Sequence, residues 1–235
     1  MRINFRNITL NQLAPLAGLT GCAVIGFGLF ASASHYIRPM VYSPRNHFIS
    51  ELGLAEASDF AHVFNLCLNT GGIMLLLFVY GLGSYLYKTP LAKYATFIGM
   101  TATLSFSAIG YFTADSWIAH KNAASVFFTG AMLSIALFSY CIRENKQSKI
   151  HHFISIQGFL IVFIYALVLV LPKDLLTQSV NDPEGFVRPN FWDLTVLEWT
   201  YCLLICSWIV TVSIDLLYIT YHKVSASAGS VRTAG

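Results

Sequence analysis

Charge is what this chain has least of. Only 11% of its 235 residues are Asp, Glu, Lys or Arg, where a water-soluble domain carries about a quarter. A water-facing surface cannot be assembled from so few, which excludes a soluble globular fold. Excess charge of one sign is missing too. The formal net charge of +3 is too small to mark a nucleic-acid partner. There is no internal repeat and no low-complexity tract. Nor are there the alternating segments of about ten residues that build a membrane β-barrel. Cysteine is sparse and badly placed for cross-linking. Cys22, Cys67, Cys141, Cys202 and Cys206 all fall inside apolar runs, so no disulfide framework is implied. Cys202 and Cys206 are i, i+4 neighbours and read as small packing residues rather than a metal pair.

What fills the chain instead is oil. Hydrophobic residues make up 56% and the mean hydropathy is +0.63. A helix needs about 20 mainly apolar residues to cross roughly 30 Å of hydrocarbon. Six runs meet that length, at about 13–33, 60–86, 94–113, 123–142, 153–171 and 196–218. The spacing predicts an all-α polytopic membrane protein, a six-transmembrane-helix bundle forming one domain over residues 1–223. The small, polar stretch 224–235 is expected to be disordered. Arg2, Arg6 and the "ASAS" at 31–34 imitate a signal peptide. The apolar run is longer than a signal core, however, so it is read as a retained span. Its Gly18, Cys22 and Gly26, spaced i, i+4, i+8, are expected to face a neighbouring helix.

Lys and Arg in the connections set the expected orientation. One side collects nine: Arg2, Arg6, Lys88, Lys93, Arg143, Lys146, Lys149, Lys223 and Arg232. The other holds Arg38, Arg45, Lys121, Lys173 and Arg188. Both termini are therefore expected in the cytoplasm. Asp215 lies close enough to the cytoplasmic end to reach that interface. Gln157 is expected to make an interhelical hydrogen bond. Tyr36, Tyr42, Trp117, Phe191, Trp192 and Trp199, at the outer ends of spans, are expected to form an aromatic belt.

The polar groups concentrate on the outer side. "YSPRNHFISELGL" has the punctuation of a short helix: Ser43 as N-cap, Pro44 at the first helical position and Gly53 after the last turn. Such a helix would place His47, Ser50 and Glu51 on one face and Phe48, Ile49 and Leu52 on the other. Asp115 and His120 bracket the turn between spans three and four, with Lys121 beside them. Asn65 and Asn69 are i, i+4 neighbours in the outer half of span two. The last outer loop and the start of span six add Asp182, Glu184, Arg188, Asp193 and Glu198.

Ser50, Glu51, Leu52 and Gly53, then Asn65, the "GYFTAD" turn (Gly110, Phe112, Asp115) and His120 resemble a bacterial and archaeal membrane family, the DUF 998 family. Its pattern is Ser-(Asp/Glu)-Leu-Gly after the first span, an Asn opening the second, and a Gly-x-Phe-x-x-Asp turn before a His in the fourth. The match runs roughly over spans one to four. More distantly the chain is similar to the eukaryotic Frag/DRAM/Sfk group, which is associated with lipid and GPI-anchor handling. The resemblance implies six spans, an outward polar face and a bacterial inner membrane. It implies no reaction.

Three functions fit these residues. The first is binding or handling of a membrane lipid or lipid-like amphiphile by Arg45, His47, Ser50, Glu51, Asn65, Asp115, His120 and Lys121. The second is an intramembrane hydrolase or transferase acting on a lipid. In it His47, Glu51, Asp115 and His120 would hold a zinc ion and its activated water. A triad of Ser50, His47 and Glu51 is a further form of it, although one short helix rarely aligns all three. The third is a non-catalytic scaffold or accessory subunit. Whether the chain is an enzyme is left open, and no cofactor is required by the first or third.

Overall fold

Long apolar runs almost free of proline and flanked by polar turns fold as helices, because a helix satisfies its own backbone groups where water cannot. The computed structural model describes residues 10–37, 41–145, 148–183 and 185–232. It is all α-helical apart from one isolated antiparallel bridge between Tyr36 and Ser58 among the described residues. The described residues form seven α-helices: α1 (Leu10–Ser34), α2 (Ala61–Tyr85), α3 (Leu91–Ile109), α4 (Trp117–Glu144), α5 (Phe153–Val170), α6 (Asp174–Asn181) and α7 (Asp193–Arg232). A one-turn 3-10 helix, Ile49–Gly53, lies between α1 and α2.

Among the described residues, five helices are long and apolar enough to cross a membrane: α1 from Gln12, α2, α4, α5 and α7 up to Tyr221. The chain is a multi-pass helical membrane protein. The lipid-facing sides of these helices carry Phe27, Phe30, Leu66, Ile156 and Phe163, all exposed in the isolated chain. The third expected span, α3, is present as a helix of 19 residues but is not among those five; it carries Lys93 and the hydroxyls of Thr96, Thr101, Thr103, Ser105 and Ser107. Those hydroxyls are spent on carbonyls. Ser107 donates to Asn69 O across to α2 (3.0 Å) and Ser105 to Ala123 O across to α4 (2.9 Å).

The helices close a ring, each packed on the next in the order α1, α2, α3, α4, α5, α7 and back to α1. Phe78, Leu82, Phe138, Ile161, Tyr201 and Trp208 form the core. At one end lie the 35–60 loop, the 110–116 turn and the 171–192 segment. At the other, Tyr85 donates to Ser148 O. There too the Asp215 carboxylate accepts the His151 backbone N–H (2.8 Å) and faces its Nδ1 (2.6 Å). Gln157 donates across to Ser207 of α7 (2.9 Å), as expected of it.

Several expectations change. The helix anticipated from Ser43 to Gly53 does not form. Ser43 O accepts from Asn46 and His47 for a single turn, then Phe48 adopts extended dihedrals (φ −71, ψ 151) and the chain restarts as the 3-10 helix. Glu51 stabilises the restart by accepting the Phe48 N–H (2.9 Å). Gly53 is needed for room rather than for a left-handed cap, since a Cβ there would lie 2.5 Å from Asn65 Oδ1. On α1, Gly18 does meet α2 and α7 through Phe78 and Ser213, but a Cβ on Gly26 would touch nothing within 4 Å. Cys22 faces α7, its Sγ 3.9 Å from Cys206 O, and the α2 contact is extended by Gly21 and Gly28, outside the expected row. Trp192 and Trp199 are buried and hold a loop, so they are not part of a belt. α7 continues as helix through Arg232, into the stretch whose composition suggests disorder. Arg2, Arg6, Arg38, Lys146 and Glu184 lie outside the described residues, as do the side chains of Lys223 and Arg232.

Candidate functional site

The 35–60 loop is tied shut at its base, where Ile37 N donates to Ala57 O (2.9 Å) and Asp59 N to His35 O (3.3 Å). Its interior is buried, so its backbone groups must be satisfied by protein. Side chains from the surrounding helices do this. Ser32 donates to Leu52 O (2.6 Å), Asn65 to Gly53 O (2.9 Å) and Trp199 Nε1 to His47 O (3.2 Å). The 182–192 segment clamps the other flank. There Asn46 Nδ2 donates to Pro189 O (3.1 Å) and Trp192 N to Arg45 O (2.8 Å).

The clamp is fastened by one ion pair. Arg188 grips Glu51 with both arms, Nη1 to Oε1 at 3.0 Å and Nη2 to Oε2 at 2.8 Å, and also donates to Asn46 O. His47 is buried and turned inward. Its Nδ1 lies 2.8 Å from Asn46 Oδ1, and its ring packs against Tyr36 and Tyr42. Burial, and then the nearby Glu198 and Glu51 carboxylates, push the Tyr42 phenol well above its ordinary range. It therefore stays protonated and donates to Phe48 O (3.0 Å).

Beside this loop opens a cavity of about 400 Å³, walled by α4, α5, α6 and the start of α7. Its position follows from Pro172. A residue before proline is pushed out of the helical region, and Leu171 sits at φ −64, ψ 143. That ends α5 and swings Lys173 and α6 over the opening. The cavity's loop end carries Trp117, Lys121 and Lys173. Thr129 is eight residues, or about 12 Å of helix rise, deeper along α4 than Lys121. There its hydroxyl meets that of Tyr165 (2.9 Å). Between these levels Ala124, Phe128, Val168, Leu169 and Leu194 give an apolar wall. Further acceptor-bearing side chains line it as well, among them Ser50, Glu198 and His120. Ser50 enters from the loop. Glu198 accepts the Ile49 N–H through Oε2 (3.3 Å). His120 Nδ1 lies 2.8 Å from Phe112 O, which can only accept. The ring therefore donates from Nδ1 and, when neutral, leaves Nε2 as an acceptor.

A family model described as "Protein of unknown function (DUF998)" matches residues 21–215. The chain belongs to the DUF998 family. No curated protein and no solved structure matches it. The match extends the resemblance seen over spans one to four through most of α7.

In this DUF998 member the sequence-selected residues divide into three groups. Ser50, His120 and Lys121 line the common cavity. Glu51, His47 and Asn65 hold the loop in place. Arg45 and Asp115 are exposed and do not line the cavity, and Asp115 accepts the Thr113 hydroxyl (3.1 Å). The four residues considered for zinc are thus dispersed. Among the described residues no three His, Cys, Asp or Glu side chains gather as a metal site. The Ser50, His47, Glu51 triad is likewise not assembled, because His47 turns to Asn46 and Glu51 to Arg188. Lys173, Thr129 and Tyr165 were not legible as a group, since each comes from a different element. Glu198 carried a usable signal: a carboxylate inside an apolar span marks a functional position by default.

Proposed function

We propose that this DUF998 protein crosses the membrane six times, with α3 completing the ring, and holds a lipid or lipid-like amphiphile in the cavity at its non-cytoplasmic end. The Lys and Arg asymmetry supports that orientation, because the loop end carries the smaller share. The observation that carries the ligand reading is the cavity's internal division. Lysines and an aromatic ring line its loop end, and further along α4 and α5 the lining is mainly aliphatic and aromatic, closed by the Thr129–Tyr165 hydroxyl pair. That order matches a molecule with a polar head and an apolar tail. A groove of similar size between α3 and α4 (about 430 Å³) has no charged residue lining it.

Mass spectrometry of the full chain, extracted gently and washed, tests this. Retained lipid that is reduced several-fold by Ala124→Trp is the expected result. Absence of any retained lipid, in protein that stays folded, overturns it and leaves the scaffold reading in its place.

A further inference from the structure

The cavity holds two lysines and one carboxyl group, and none of the three has an ion-pair partner among the described residues. Arg188 does not line the cavity and is already forked onto Glu51. Among the described residues no Lys or Arg forms an ion pair with Glu198, and neither Lys121 nor Lys173 has a carboxylate partner. Lys173 reaches only a carbonyl, Leu169 O at 3.3 Å. A carboxylate set in a low-dielectric wall without a cation is costly, and so is a polar cavity left half satisfied.

We infer that the head of the bound amphiphile is zwitterionic: an anionic phosphate held by Lys121 and Lys173, and a primary ammonium held by Glu198, Ser50 and His120. This rests on the lipid-binding reading and sharpens it. The lysines fit phosphate as point charges at a membrane interface. An –NH3+ group has three donors and no acceptor. The cavity offers it the Glu198 carboxylate, the Ser50 hydroxyl and His120 Nε2, the nitrogen left free once Nδ1 is committed to Phe112 O. A trimethylated ammonium has no N–H to donate, and a glycerol head has no cation. Acceptor chemistry of this kind therefore selects the amine.

The test is a competition on the delipidated full-length protein. Phosphatidylethanolamine, phosphatidylcholine and phosphatidylglycerol with identical acyl chains are supplied in equal amounts, and retention is read by native mass spectrometry. The expected result is about tenfold retention of the ethanolamine lipid over each of the others. Glu198→Gln should bring it near parity with the glycerol lipid. Lys121→Ala with Lys173→Ala, both at exposed positions, should lower retention of all three. Equal retention, or a preference for choline or glycerol, overturns the headgroup assignment while lipid binding stands. So does an ethanolamine preference that survives Glu198→Gln. No retained lipid of any kind sinks both readings. Soluble glycerophosphoethanolamine is the acyl-free probe. If it displaces the lipid at the lipid's own concentration, the site belongs to a small zwitterion and the lipid assignment fails. If Glu198→Gln does not fold, the wild-type competition still decides.

Discussion

The Glu51 side chain accepts from Arg188, from the Phe48 N–H and, at 3.5 Å, from the Tyr36 hydroxyl. The two partners of the ion pair expose only 11% and 19% of their side chains, so solvent screens the pair little. Removing one partner strands a charge in a poor dielectric, at a cost of about 3 kcal/mol. Arg188→Met should therefore destabilise the protein by about that amount. The double variant Arg188→Met with Glu51→Gln should be less damaging than the two single changes summed. Chemical unfolding in detergent measures both; additivity would mean that the pair does not act as a unit. Chemistry at this scale was only half legible. Ser50, His120 and Lys121 could be selected by type. Glu51 and His47 looked equally reactive, and nothing local in "NHFISEL" reveals that Arg188, 137 residues further along, consumes one of them. Partners that distant are fixed by the fold and not by spacing.

Helices were the most legible elements, because the period and length of their apolar runs are set by the bilayer. Which stripe of a helix meets its neighbour was legible only in part. Gly18 and Cys22 of the expected row do meet neighbouring helices, but Gly26 does not, and the close approach to α2 also uses Gly21 and Gly28, where a Cβ on Gly28 would sit 2.5 Å from Cys67 Cβ and 3.2 Å from Phe64 Cα. Gly28→Ala is expected to cost about 1–3 kcal/mol, since a backbone atom must move. Gly26→Ala should be neutral or stabilising by up to about 1 kcal/mol, because helix propensity rises with no clash. Thermal inactivation of the two variants side by side checks this. Equal damage would place Gly26 in an interface. The loop element failed for another reason. Ser43, Pro44 and Gly53 are good helix punctuation, but tertiary bonds from Trp192 N to Arg45 O, from Asn65 to Gly53 O and from Ile49 N to Glu198 give these carbonyls and this N–H partners that a free helix lacks.

For the whole molecule, the ring of α1, α2, α3, α4, α5 and α7 gathers the 35–60 loop, the 110–116 turn and α6 at one end, and the Tyr85–Ser148 and His151–Asp215 contacts at the other. In a version freed of its five cysteines, Ala55→Cys and Asp115→Cys, both at exposed positions, should react with a membrane-impermeant maleimide on intact cells. Lys88→Cys, also exposed, should react only after permeabilisation. The reverse pattern would invert the proposed orientation, and labelling of Ala55→Cys and Asp115→Cys from opposite sides would remove α3 from the membrane.

The account stands or falls on occupation of the cavity between α4, α5, α6 and α7. The most direct measurement is photocrosslinking in cells fed a diazirine-bearing fatty acid, followed by peptide mapping. Adducts should concentrate on the α4 stretch from Trp117 to Thr129 and the α5 stretch from Tyr165 to Leu169, and should fall in Ala124→Trp. Adducts spread evenly over the outward-facing Phe27, Phe97 and Ile156 surfaces, and unchanged by Ala124→Trp, would contradict it.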